Sequence, residues 1–356
     1  MITVAHEALE KLVTEMIGRA GSNPEEARTV ARNLVEANLL GHDSHGIGLV
    51  GQYMRHAQTG TLTVNGHVSH VSDNGVYLLL DGNMAYGQVT GAEAMHLGLD
   101  RARTAGAAIV GLRNSHHLGR IGAWGEICAR EGFISIHFVN VVGHRPIVAP
   151  WGGAEARYST NPYCTAIPAT GKNPMFVLDM ATSRVALGKV RVAYNAGKEV
   201  VEGALIDHNG QPTRNAAVMY EEPNGALQAF GQHKGYGLAL LGEILGAALL
   251  GGPVTDPAHQ KRDTICNSML TVIIDPKGFG RDIPFGDLID SMLAYVTSAR
   301  PAEGMDKVRV AGEPERETAA DRKANGIPVD PGTWSGLVEA GVNAGMDRHR
   351  FDGIAR

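Results

Sequence analysis

Four polar clusters in the chain have residue types that are able to do chemistry. They are His42-Asp43-Ser44-His45, Asn114-Ser115-His116-His117, Ser159-Thr160-Asn161-Pro162 and Gln232-His233-Lys234, with Asp179 closing a further apolar run. An imidazole titrates near neutral pH, so His45 could pass a proton to or from a reacting oxygen. A hydroxyl at Ser44 could bond that oxygen, and a carboxylate such as Asp179 could hold the ring in one tautomer, as triad logic requires. Each residue also has a plainer reading. His45 could bind the last carbonyls of a helix, Ser44 could end that helix, and Asp179 could be a solvated strand end. His233-Lys234 stands at the start of a long apolar run, where free N–H groups and a lysine suit a phosphate. The lysine could equally lay its stem on apolar neighbours. Gly119-Arg120 opens another predicted helix and could also meet a phosphate. Gly312-Glu313-Pro314-Glu315 reads most simply as a turn into a helix with an acidic first turn.

Fifteen histidines raise the question of a metal. His42 and His45 form an HxxH pattern and His116-His117 a pair, both compatible with zinc. No HExxH occurs and neither spacing matches a familiar zinc motif, so no metal is expected. A second motif, GIGLVG at 46–51, matches the G-x-G-x-x-G spacing of dinucleotide-binding loops, with Asp73 downstream. That fingerprint needs a strand before its first glycine and a helix after its last. Here a helix precedes. Asn23 can cap it, Pro24 suits its first position, and Glu26 gives a capping-box-like arrangement. Ala27, Val30, Ala31 and Leu34 then repeat at helical spacing to about Leu40. The three glycines are therefore read as structural.

Further elements must position the clusters. Strands are expected at Val76–Leu80, Ala107–Leu112, Phe133–Val142, Met175–Leu178, Met269–Ile274 and Val308–Val310. Helices are expected at Gly91–Thr104, Gly119–Arg130, Lys234–Leu250 (long and buried), Phe285–Thr297, Glu315–Ala324 and after Pro331. The strand, loop and helix around RNSHHLGR make a βαβ-like unit. Alternating elements argue for α/β with a mixed sheet. The 356 residues suffice for one large or two modest domains. A net charge of −5 with no basic run argues against nucleic acid and anionic membranes. No signal peptide or membrane-spanning run is visible. Three widely spaced cysteines fit a reducing cytoplasm.

Taken in order, DSHG (43–46), NSHHLGRIG (114–122), TNP (160–162), LDMATS (178–183), HKGYGLAL (233–240) and GEPE (312–315) resemble the type 2 malate/L-lactate dehydrogenase family, the sulfolactate-dehydrogenase-like group. EGFISIHF (131–138) and NGIPVDPGTW (325–334) fit one bacterial branch. The resemblance implies a mixed-sheet, non-Rossmann nicotinamide-binding domain at 111–279, and a second α/β domain from the N- and C-terminal segments, 1–110 and 280–356, for substrate and dimerisation. It implies hydride exchange between NAD(P)H and a 2-oxo acid, giving a 2-hydroxycarboxylate, in a cytoplasmic homodimer. NAD is the expected cofactor and NADP the alternative. His45 would be the acid/base, with Ser44 and Asp179 orienting it. His45, His117, Gly119, Arg120, Ile121, Val177, Leu178, Asp179, Met180, Ala181, His233, Lys234, Asn267, Gly312, Glu313, Pro314 and Glu315 would hold the cofactor. Leu49, Thr160 and Asn161 would line the substrate site. Many members carry arginine where this chain has Leu49, so the substrate carboxylate needs another partner: Arg55, Arg120 or Arg145. An apolar Leu49 admits aryl or alkyl 2-oxo acids beside malate and lactate. Reduction of a cyclic imine or a sugar-derived keto acid is the alternative within the family. A histidine-based zinc hydrolase and a nicotinamide-binding protein without turnover lie outside that chemistry.

Overall fold

The computed structural model describes residues 2–259 and 263–355. Strand β1 (Ile2–Val4) leads into α1 (His6–Arg19), whose Leu9, Leu12, Val13, Met16 and Ile17 are buried along one helical face. Helix α2 (Pro24–Leu39) packs against α1 with Ala27, Val30, Ala31 and Leu34. Asn23 caps it as expected, accepting from the N–H groups of Glu25 and Glu26. The reciprocal half of the capping box is absent: Glu26 accepts from Asn65 N, and Asn65 Oδ1 accepts from Asn23 N. Two 3₁₀ turns, Asp43–His45 and Ile47–Leu49, precede α3 (Val50–Thr59).

The middle of the chain supplies β2 (Ser69–Asn74), β3 (Tyr77–Asp81), α4 (Gly87–Ala105), β4 (Ala107–Ser115), α5 (Gly122–Arg130), β5 (Ile134–Val142), β6 (Tyr163–Ile167) and β7 (Phe176–Met180). There follow α6 (Leu187–Asn195), the short strands β8 (Leu205–Ile206), β9 (Pro212–Thr213) and β10 (Ala226–Leu227), α7 (His233–Gly246) and β11 (Cys266–Ile274). The chain ends with α8 (Phe285–Thr297), α9 (Glu313–Asn325), β12 (Ile327–Val329), α10 (Pro331–Asn343) and α11 (His349–Asp352).

The main sheet has seven strands in the order β2-β3-β4-β11-β5-β6-β7. Only β3 and β4 pair in parallel; every other neighbour is antiparallel. This mixed sheet is not a doubly wound Rossmann sheet. The βαβ-like unit, β4-α5-β5, is present but split, because β11 inserts between its two strands and runs antiparallel to both. Helices α4 and α5 pack on one face with His137 and Val139 of β5. Helix α7 covers the other face, where Asn140 of β5 reaches Glu243.

Several expectations change. Residues 308–310 form no strand; β12 does instead, pairing with β1 and joining the two ends of the chain. Helix α7 stops at Gly246, and a 3₁₀ turn at Ala248–Leu250 follows. It is buried on one side only: its glycine face meets β5, where a Cβ on Gly242 or Gly246 would lie 2.6 or 2.7 Å from a carbonyl oxygen, while Ile244 remains 54% exposed. Apart from His233, Lys234 and Glu243 its sequence is apolar or glycine, with no period to mark an open side. Helix α5 begins at Gly122, three residues later than expected, after Gly119 at φ +69°. Buried apolar residues of 4–86 and 327–351 share one core, and a second core lies under the main sheet.

Candidate active site

The DSH turn hangs on a polar residue placed where a core residue would be. In α2, Val30 and Leu34 point into the core, and Asn38 continues their line. Its Nδ2 donates to Asp43 Oδ1 at 2.6 Å, and its Oδ1 accepts from Ile47 N at 2.8 Å. Arg322 of α9 clasps Asp43 from outside, at 2.7 and 3.0 Å. His42, one residue earlier, pairs with Glu315 at 3.5 Å. The turn carrying Ser44 and His45 is thus gripped from α2 and α9, and α6 approaches Ser44 itself.

Ser44 Oγ lies 3.0 Å from His45 Nδ1. The His45 ring stacks on His117, with centroids 5.7 Å apart and planes 14° apart. His117 Nδ1 lies 2.6 Å from Tyr53 Oη, which accepts from Gln88 Nε2 at 3.1 Å. That acceptance leaves the phenol free to donate to Nδ1, so the His117 proton sits on Nε2. His45 keeps partial contact with solvent, but protein surrounds it closely. Burial, with His42 and Arg120 nearby, lowers its pKa to about 4, so the ring is neutral at pH 7. Burial, with His45 nearby, also holds the pKa of His117 well below its ordinary value.

Beside this turn opens a cavity of about 400 Å³, lined among others by His42, Arg120, Val177, Asp179, Gly312 and Glu315. Five residues expected at the cofactor, from three separate segments, therefore meet around one space. Arg120 is 3% exposed. Its Nη1 binds Glu126 Oε1 at 2.9 Å, and its Nη2 has no partner. Asp179 accepts from Gly122 N at 2.8 Å, so a carboxylate sits at the start of α5. Burial raises its pKa, with Arg120 opposing.

Among the described residues no hydrogen bond joins Asp179 to His45; the ring's partner is Ser44. Asp179 satisfies the helix N–H that a phosphate was expected to meet. Gly312 caps α9 at φ +86°, and Pro314 sits in the first turn of α9. Glu313 is committed to Lys307 and to Val310 N. Leu178, Met180 and Ala181 lie half-buried at the edge strand β7, and Ile121 is buried. Asn267 is a brace, accepting from Leu118 N at 2.8 Å and donating to Asn140 O.

Other expected residues lie elsewhere. His233 and Lys234 are exposed and do not line this cavity; His233 meets Trp151, 5.6 Å between centroids, which lines a second cavity of about 350 Å³. Asn161 is spent on structure, accepting from Val141 N and donating to Ala239 O and Glu243. Thr160 O accepts from Thr182. Leu49 packs on the terminal core. The histidines pair rather than cluster, His56 with His116 at 2.9 Å, and among the described residues no three His, Cys, Asp or Glu side chains gather as metal ligands. Sequence reasoning missed Asn38, Tyr53, Gln88 and Arg322. Asn38 had a signal, being polar on an apolar helix face; the others had none.

The donor set around the cavity suits a dinucleotide. Arg120, Arg130, Arg316 and Lys323 offer cations to phosphates, and Glu36 and Glu315 offer acceptors to ribose hydroxyls. Comparison with known proteins agrees with this chemistry. Residues 4–338 match the malate/L-lactate dehydrogenase family. The chain is 44% identical over 342 residues to hydroxycarboxylate dehydrogenase B of Escherichia coli K12, covering 96% of this chain and 94% of that one. It is 32% identical over 341 residues to L-sulfolactate dehydrogenase of Methanocaldococcus jannaschii, covering 95% and 96%. An E. coli malate/lactate dehydrogenase candidate of known structure superposes with a TM-score of 0.94 at 42% identity, covering 99% of this chain and 98% of that one. Sharing sequence and fold along nearly its whole length, the chain belongs to the malate/L-lactate dehydrogenase family.

Proposed function

We propose that this protein reduces 2-oxo acids to 2-hydroxycarboxylates with a nicotinamide cofactor, NAD before NADP, and that His45 is its acid/base. The observation that carries this reading is His45 itself: neutral, bonded to Ser44, stacked on His117, and three residues from His42, which lines a cavity with a buried arginine. Residues 111–279 hold the cofactor through Arg120, Val177 and Asp179 among others, joined by Gly312 and Glu315 of the C-terminal segment. Residues 1–110 and 280–356 complete the substrate site. When bound, the nicotinamide supplies the hydride that reduces the carbonyl carbon. In the oxidative direction the neutral His45 ring accepts the hydroxyl proton as hydride leaves; in reduction it first takes a proton from solvent and, as the imidazolium, delivers it to the developing alkoxide. Ser44 holds Nδ1, which keeps Nε2 toward the oxygen. The stacked, neutral His117 fixes the plane of the ring without adding a competing charge. The buried free thiols of Cys128 and Cys164 support a reducing, cytoplasmic setting.

The protein is a homodimer in this reading, and α8 is the surface that supports it. Only Asp290 and Leu293 of that helix are buried. Leu288, Met292 and Val296 form an exposed stripe at i, i+4 and i+8. A two-fold axis at Met292 sets Leu288 against the partner copy's Val296, so the stripe is complementary to itself.

The test uses metal-stripped protein, following NADH and NADPH absorbance with pyruvate, oxaloacetate, phenylpyruvate and hydroxyphenylpyruvate. Oxidation without added metal is expected. His45→Ala lowers kcat by about 10²–10⁴-fold, with NADH affinity, read by fluorescence titration, changed less than about tenfold. Near-normal turnover in His45→Ala would overturn the acid/base role. Inactivity toward every acid, with hydrolysis appearing on addition of zinc, would overturn the dehydrogenase reading.

A further inference from the structure

We infer that Glu36 makes the enzyme choose NAD over NADP, by accepting from the 2′-hydroxyl of the adenosine ribose and repelling a phosphate at that position. The inference rests on the reductase reading above. In that reading the nicotinamide meets His45, because hydride and proton go to one carbonyl. His45 is not in the wall of the cavity of about 400 Å³, whereas His42, three residues before it, is. The nicotinamide end therefore lies on the His42 side, and the cavity takes the phosphates and the adenosine.

Helix α9 suits that half of the cofactor. Arg316, Ala319, Ala320 and Lys323 line the cavity at i, i+3, i+4 and i+7, so one face of the helix turns toward it. The helix buries none of its residues, and two alanines between two cations leave room along that face. Charge pairing then sorts the cations. Arg120 and Arg130 share Glu126, at 2.9 and 3.0 Å. Arg316 gives one N–H to Met175 O, and neither it nor Lys323 makes an ion pair among the described residues. Two uncommitted cations match the two charges of a diphosphate. A 2′-phosphate brings up to about two charges more, and no uncommitted cation of the wall is left for it.

The acids of the wall divide in the same way. Asp179 accepts from Gly122 N, Glu315 faces His42 at 3.5 Å, and Glu126 serves two arginines. Glu36 is the open one. Its charged partner among the described residues is Arg130, at 3.8 Å, outside hydrogen-bond reach, and its side chain is 40% exposed. Leu40, one turn further along α2, lines the cavity with Met175 and Val177 and gives an adenine apolar surface beside that carboxylate. An open carboxylate next to the base is placed for the ribose. It accepts from a hydroxyl through a charge-assisted bond, and the same charge repels a phosphate ester.

The experiment measures dissociation constants of NADH and NADPH by cofactor fluorescence at fixed ionic strength, in the wild type, Glu36→Gln, Glu36→Lys and Lys323→Gln. The wild type is expected to bind NADH about tenfold more tightly than NADPH. Glu36→Gln, which keeps an acceptor and removes the charge, weakens NADH about threefold and tightens NADPH about tenfold, so the preference falls about 30-fold. Glu36→Lys tightens NADPH further and reverses the preference. Lys323→Gln weakens both cofactors alike, since both carry the diphosphate. A wild type that prefers NADPH, or a preference that both Glu36 variants leave within about twofold of wild type, overturns the inference. A wild type that binds neither cofactor overturns the reductase reading, and this inference with it. One that reduces 2-oxo acids with a preference indifferent to Glu36 overturns this inference alone.

Discussion

His45, His116, His117 and His137 share one physical condition: burial holds each imidazole neutral. Their pKa values fall from the ordinary 6.5 to about 4 for His45, to about 3 for His116 and His137, and well down for His117. Above pH 6.5 both folded and unfolded chains carry these rings neutral, and they contribute no pH dependence. As pH falls through 6.5 the unfolded chain takes up protons that the folded chain cannot. Stability is therefore lost on acidification, by at most about 1.4 kcal/mol per pH unit for each histidine. Asp179 and Glu243, whose carboxyls burial raises, push the other way nearer the carboxylate range. The histidine effect is thus cleanest between pH 7.5 and 5.5. Urea midpoints should stay level from pH 7.5 to about 6.5 and drop increasingly below it; a flat profile throughout would mean the four rings are not held neutral. The contact between His45 and Ser44 was legible in the sequence, because adjacent residues need no fold to meet. The partner of Asp179 was not, since Gly122 lies 57 residues away in the chain.

At the scale of elements, GIGLVG shows why spacing is weak evidence without context. Its glycines have three different neighbourhoods. A Cβ on Gly46 would lie 2.0 Å from Asn38 Oδ1, the atom that holds Ile47 N. A Cβ on Gly48 would meet nothing nearer than 3.6 Å, and one on Gly51 would make an ordinary 3.4 Å contact with Ala340. Gly46→Ala must displace Asn38 and with it the turn that carries Ser44 and His45. It is expected to cost about 1–3 kcal/mol in urea unfolding and to lower kcat. Gly48→Ala should leave both near wild type. Equal behaviour of the two variants would show that Asn38 is not the brace. Most helices were readable from cap residues and period, α8 to the residue. The end of α7 and the start of α5 were not, because packing against β5 and the turn at Gly119 set them.

For the whole molecule, the open stripe on α8 makes the strongest demand. A 13-residue helix with its apolar side in water is marginal by itself. Asp290 ties it to the β6–β7 loop through Thr170 and Asn173, but that anchor leaves Leu288, Met292 and Val296 uncovered. Met292→Glu puts two charges at the proposed axis. It should convert the dimer to monomer in size-exclusion chromatography with light scattering, whereas Asp287→Asn, off the stripe, should not. A monomeric wild type, or a Met292→Glu dimer, would place the contact elsewhere or remove it. No helix of the described residues is long and apolar enough to cross a membrane.

By itself the sequence determined the local things: the capped α2, the α/β class, the polar clusters, and the rejection of a Rossmann loop. These follow from neighbours within a few residues, where periodicity and capping act. Only the tertiary structure decided which clusters meet. It brought 120, 177–179 and 312–315 to one cavity, left His233 and Lys234 away from it, and turned Asn161 and Asn267 into braces. The cause is the sheet order. Strand β11 enters between β4 and β5 from more than a hundred residues downstream, and long-range pairing of that kind has no local signature in the chain.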